Sequence, residues 1–113
     1  MNIKDYCLTF PYSVEDYPFG PETLVMKVNN KIFALLGKDD SISLKCNPFA
    51  AIEYREMFNG VKPGYHLNKK YWNTVSLNDD VNEEMIKVMI KESYIEVVKK
   101  FPKRDREKYL SKL

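Results

Sequence analysis

The sequence predicts an α+β fold: an antiparallel sheet of four to five strands with helices packed on one face. Three observations carry that expectation. Two short β-rich runs, Leu24–Val28 and Lys31–Leu36, are separated by Asn29-Asn30, a pair that tolerates the positive φ of a two-residue type I′ hairpin turn. Residues 82–101 place Ile86, Met89, Ile90, Tyr94, Val97 and Phe101 at helical spacing, one apolar stripe to be buried. The order of elements is helix, three-stranded meander, helix, strand, helix, which implies a sheet on one side and helices on the other.

Each element has a local reason. Residues 2–9 suit a short helix stopped by Pro11, and the stretch 11–21, with three prolines and Gly20, reads as an ordered aromatic-rich connection. After the hairpin, Gly37-Lys38-Asp39-Asp40 forms a second turn into a third strand over 41–46. Asn47 then N-caps a helix with Pro48 at its first position, and Asn59-Gly60 is the expected left-handed C-cap. A fourth strand covers 72–77. Asp80 or Asn82 caps the long helix, Pro102 ends it, and 103–113 suits a short basic helix.

Strand register converts this outline into faces. With Asn29-Asn30 as the turn, Met26 faces Phe33 and Leu24 faces Leu35, and the next turn sets Leu35 against Ile42 and Phe33 against Leu44. Leu24, Met26, Phe33, Leu35, Ile42 and Leu44 then share the core face. Lys27, Ile32 and Lys45 fall in a row on the opposite face, a small cationic platform.

At 113 residues the chain has the length of one domain that buries a core without staples. Apolar residues make up 44% and charged ones 30%, the balance of a folded water-facing protein rather than a disordered one. The net charge of +2 is too small to imply nucleic acid by itself, but it is unevenly spread. Residues 99–113 hold seven bases and two acids, whereas residues 1–98 hold eleven bases and fourteen acids. Cys7 and Cys46 stand alone, without CxxC spacing, and suit packed thiols in a reducing compartment. No signal pattern or long apolar run occurs, so a monomeric cytoplasmic protein is expected.

The densest chemistry lies in 63–77, PGYHLNKKYWNTVSL, which holds the only His and the only Trp. Tyr65, His66, Asn68, Lys69, Lys70, Trp72 and Asn73 combine ring stacking, cationic charge and amide hydrogen bonding, and no carboxylate interrupts 57–78. The same residues also suit ordinary duties: aromatic rings in a core, asparagines capping turns, lysines in solvent.

The chain resembles the MmcQ/YjbR family. The resemblance runs through Tyr6-Cys7-Leu8, Phe10-Pro11 and Asp16-Tyr17-Pro18-Phe19-Gly20, then Lys27-Val28, Lys31-Ile32-Phe33-Ala34-Leu35 and Ser43-Leu44-Lys45-Cys46. It is densest at 63–70 and Trp72-Asn73-Thr74-Val75, and closes with Ser93-Tyr94 and Val97-Val98. The basic stretch at about 102–113 extends past the family pattern. The resemblance implies a single CyaY-like domain over 1–113 and DNA binding through a double-wing surface of sheet and hairpin loops.

On that reading Lys27, Lys45, Lys69 and Lys70 neutralise phosphates, Tyr65 and Trp72 stack, Asn68 and Asn73 bond base edges or backbone, and His66 donates to phosphate. The alternatives are a non-catalytic binder of a small anionic ligand or a protein-interaction module. An enzyme is not expected: no carboxylate neighbours His66 in sequence, and no phosphate loop or nucleophile motif is present. No cofactor or metal is expected either. CyaY-like iron binders carry an acidic first helix, and here residues 1–14 contain Asp5 as their one acid.

Overall fold

The computed structural model describes residues 2–37 and 39–113, so Lys38 of the second turn lies outside the described residues. The chain opens with α1 (Ile3–Leu8), whose N-cap Asn2 accepts from the Asp5 amide at 3.0 Å. There follow β1 (Ser13–Asp16), β2 (Leu24–Val28), β3 (Lys31–Leu36) and β4 (Ser41–Lys45). Then come α2 (Pro48–Met57), β5 (Val61–Pro63), β6 (Trp72–Ser76), α3 (Glu83–Val98) and α4 (Lys103–Leu110). The strands form one antiparallel sheet in the order β1-β2-β3-β4-β6-β5.

The α+β class is as expected, with six strands instead of four or five. Both additional strands lie at the edges. β1, Ser-Val-Glu-Asp, has weak β propensity and a mostly exposed pattern, and pairing with β2 is what extends it. β5 has three residues, too few to carry a periodic signal.

Local chemistry decided several elements. Asn29 and Asn30 adopt φ of 47° and 63°, as a type I′ turn requires. Asn47 accepts from the Ala50 amide at 2.9 Å and Asn82 from the Met85 amide at 2.8 Å, and the first helical residue of α2 is Pro48. The expected C-cap at Asn59-Gly60 is not formed, because α2 ends on an extended Phe58 and neither residue has positive φ. Their amides donate instead to Asp80, at 2.7 and 2.8 Å, so Asp80 clamps this turn and does not cap α3. Gly60 is needed for space: a Cβ there would lie 2.8 Å from Asp79 Cβ. α3 ends at Val98, three residues short of its expected limit, while Phe101 still turns inward and is buried.

The core lies between one sheet face and the helices. Tyr94 sits at its centre, stacked on Phe10 at 5.0 Å and edge-on to Phe33 at 5.3 Å, with its hydroxyl donating to Pro11 O at 2.6 Å. Ile86, Met89, Ile90, Val97 and Val98 of α3 are also buried, so the predicted stripe is the core contact.

One register expectation is corrected. A β-bulge interrupts β2–β3 between Met26 and Lys27: Lys27 pairs with Ile32 but Met26 with Ala34, leaving Phe33 without an opposite residue. From there every residue of β3 is offset by one. Leu36, not Leu35, pairs with Leu24 and Ile42, and Leu35 pairs with Val25 and Ser43 on the face away from α3. Phe33 and Ala34 are both fully buried, as two residues sharing one bulged position. The bulge is held by Ser93 of α3, whose hydroxyl donates to Phe33 O at 2.6 Å and accepts from Lys45 N at 2.8 Å. Among the described residues no helix is long and apolar enough to cross a membrane.

Candidate nucleic-acid interface

The bulge gives the open face of the sheet an apolar floor. Ile32 and Leu35 of β3 lie there beside Ser41, Ser43 and Lys45 of β4, and Trp72 and Thr74 of β6 lie alongside. Lys45 pairs with Trp72 and Ser43 with Thr74, whose hydroxyls bond each other at 2.8 Å.

The β5–β6 loop, residues 64–71, forms a wall along this face. Gly64 donates to Trp72 O at 2.9 Å, and a Cβ there would sit 2.7 Å from Trp72 Cβ, so only glycine lets the strand approach this closely. Tyr65 N donates to Thr74 Oγ1 at 3.1 Å while its side chain stays 72% exposed. Its ring lies 4.0 Å from that of His66, centroid to centroid, and His66 takes a left-handed φ of 59°. Asn68 shapes the turn, its carbonyl accepting from Tyr71 N and Trp72 N and its side chain from Lys70 N.

Two hollows result, and they share Ile32 and Trp72. One is a groove of about 440 Å³ between Phe19, Leu35, Tyr65, His66 and Trp72, reaching Asp39 and Ser41 at its far end. The other, about 460 Å³, lies at the end of the sheet between Asn30, Lys31, Lys45, Val97 near the end of α3, and Lys100 and Phe101 just beyond it. None of Lys31, Lys45 and Lys100 makes an ion pair among the described residues. Apolar floor, aromatic wall and cationic mouth are therefore continuous.

The predicted residues separate into groups. Lys45, Tyr65, His66 and Trp72 line this surface. Lys69 and Lys70 are exposed on the same loop; Lys69 Nζ donates to Gly64 O at 2.9 Å, and Lys70 Nζ lies 5.6 Å from the Tyr71 ring centroid. Lys27 is on the open face but outside both hollows, paired with Asp16 at 2.8 Å; the Lys27 ammonium is the main reason the Asp16 carboxyl sits below its usual pKa. Asn73 is a correction. It alternates inward between Trp72 and Thr74, is 3% exposed, donates to Ala51 O at 3.1 Å and accepts from Arg55 Nε at 2.7 Å. It cannot reach a ligand on the open face.

Ile32 lies on the open face as the register predicted, whereas sequence reasoning missed Lys31, Lys100, Leu35 and Arg55. Arg55, on the last turn of α2, donates to Lys69 O and to Trp72 O, the latter at 3.4 Å, and so fixes the loop from behind. Its spacing from the loop carries no local signal. Lys100 was legible only as part of a basic tail.

Burial leaves the thiols inert: it pushes Cys7 up to about 12 and Cys46 up to about 11. The Tyr54 hydroxyl is also raised, by burial and by donating to Glu92. Among the described residues no cluster of three or more His, Cys, Asp or Glu could hold a metal ion.

Fold and surface together define a small α+β protein with one helix-covered sheet face and one open, aromatic and cationic face. The YjbR family model matches residues 8–95, and the chain belongs to that family. It is 34% identical over 108 residues to the uncharacterized protein YbdF of Escherichia coli O157:H7, covering 93% of this chain and 88% of that protein. It is 28% identical over 107 residues to the uncharacterized protein YjbR of Escherichia coli K12, covering 92% and 91%. Among solved structures, Deinococcus radiodurans protein DR2400, a DUF419 domain, superposes with a TM-score of 0.88 at 36% identity, over 96% of this chain and 85% of that one. A Pseudomonas syringae protein superposes at 0.71 with 28% identity, over 82% and 96%.

Proposed function

We propose that this protein binds nucleic acid along the open face of its sheet. The observation that carries the reading is the position of Trp72, between three lysines that have no ion-pair partner among the described residues and an apolar groove walled by Tyr65 and His66. Lys31, Lys45 and Lys100 supply the counter-charge for phosphates, with Lys69 and Lys70 as exposed cations on the adjoining loop. Trp72 and Tyr65 supply faces on which bases stack regardless of sequence. The double-wing contact implied by the family resemblance agrees with a surface built from sheet and loop. Lys27 contributes little, since Asp16 already neutralises it.

Trp72 is the only tryptophan, so its fluorescence reports directly on the site. Titration with a single-stranded oligonucleotide over a salt series should give log K falling against log salt with a slope of about −2 to −3.5, for three to five neutralised phosphates. Replacing Lys31, Lys45 and Lys100 with Ala should flatten that slope by about 2. Trp72→Ala, followed by anisotropy of a labelled strand, should weaken binding by about 1–3 kcal/mol and leave the slope in place. Failure of every nucleic acid to bind at low salt would overturn the reading. One observation favours a second: the groove's volume falls within the range of about 300–1,000 Å³ typical of small-ligand sites. A compact aromatic anion binding where strands do not would transfer the site to that class.

A further inference from the structure

We infer that the groove is a slot for one unpaired nucleotide held in a fixed direction, phosphate at the lysines and base edge at Asp39, with a preference for guanine. The inference rests on the nucleic-acid reading above and adds to it the state and identity of the base.

Direction follows from charge. The two hollows form one surface with ammonium groups at one end and a carboxylate at the other. An anionic group in it is attracted to Lys31, Lys45 and Lys100 and repelled from Asp39. Lys45 and Ser41 lie at opposite ends of β4, about 13 Å apart at strand rise, comparable with the reach of a nucleotide from its phosphate to the far edge of its base. Trp72 stands beside Lys45 at the start of this span, and midway along it the floor is Leu35 with the Ser43 and Thr74 hydroxyls bonded to each other. This middle section takes a planar ring and offers it few polar partners.

Base identity follows from the far end. Asp39 accepts from Ser41 Oγ at 2.7 Å through Oδ1, and among the described residues Oδ2 has no partner. An ionised carboxylate only accepts hydrogen bonds. The Watson–Crick edge of guanine presents two adjacent donors, N1–H and the 2-amino group, which suit a carboxylate side by side. Adenine and cytosine present one donor group beside an acceptor, and thymine presents one N–H between two carbonyls that face the carboxylate repulsively. That edge is free only when the base is unpaired, so the slot also excludes intact duplex.

The test uses the intact protein and Trp72 fluorescence at low salt, with dT12 strands carrying one central dG, dA or dC, the all-dT strand, a duplex, and the mononucleotides 5′-GMP and 5′-UMP. The dG strand should bind about tenfold more tightly than all-dT, the discrimination of a well-formed two-donor contact, and the duplex should bind more weakly than either. Asp39→Asn should bring the dG:dT ratio close to one. Because that variant alters only an exposed turn, a circular dichroism spectrum unlike the parent's would direct the comparison to 5′-GMP against 5′-UMP on the unaltered protein. There GMP should bind tighter by a similar factor. Equal affinity for all strands and both mononucleotides, or duplex binding as tight as single strand, overturns this inference and leaves the nucleic-acid reading standing. Binding of 5′-GMP without any strand upholds the slot, with the free nucleotide as its source, and removes the nucleic-acid reading. Binding of neither removes both.

Discussion

At the scale of single residues, one hydroxyl ties two neighbouring strands of the sheet to α3. Ser93 Oγ satisfies Phe33 O and Lys45 N where the β3–β4 ladder stops, and this supports the bulge that turns Leu35 onto the open face. Ser93→Ala leaves a buried carbonyl and a strand amide without partners, so it should cost about 1–3 kcal/mol, read as a lower denaturant midpoint at unchanged m. Asp80 makes a prediction about pH. The amides of Gly60 first and Asn59 second hold its carboxyl below the ordinary value. A folded-state pKa below the unfolded one gives stability that is present above the unfolded carboxylate pKa and is lost as pH falls through the folded one. The difference in melting temperature between the parent and Asp80→Asn should therefore be full near neutrality and shrink below about pH 4. A difference that persists unchanged at pH 2 would mean the clamp does not depend on charge. Sequence alone named Asp80 as a cap candidate, because both roles use the same short carboxylate, and only its partners decide between them.

At the scale of elements, the loop between β5 and β6 depends on close backbone contact. Gly64→Ala would drive a methyl group against Trp72 Cβ at 2.7 Å and Trp72 O at 3.0 Å. Its relief requires the loop to move away from β6 and carries Tyr65 and His66 with it. Fluorescence of Trp72 should shift to longer wavelength and ligand affinity should fall, while α3 packing, followed by near-UV circular dichroism of the Tyr94 cluster, stays intact. An unshifted emission maximum would show that the loop absorbs the methyl group in place. Elements with strong local signals were legible: the Asn29-Asn30 turn, the Asn47 and Asn82 caps and the α3 stripe each depend on neighbours within a few residues. β1 and β5 were not, because a short edge strand exists only through its partner.

At the scale of the whole molecule, the proposed site is a meeting of distant segments. Phe19 comes from the β1–β2 connection, Ile32 and Leu35 from β3, Tyr65 and His66 from the β5–β6 loop, and Lys100 from beyond the end of α3. The sequence by itself determined the fold class, the core stripe, the hairpin turn and the concentration of aromatic and cationic residues in 63–77, since each follows from local propensity or periodicity. Only the tertiary structure decided which of those residues face outward. A bulge of one residue reversed Leu35, strand alternation turned Asn73 inward to Arg55 and Ala51, and Asp16 of the neighbouring strand took the charge of Lys27. Side chains alternate with a period of two, so one inserted residue or one paired neighbour reassigns a whole face, and that depends on contacts no local stretch of sequence contains.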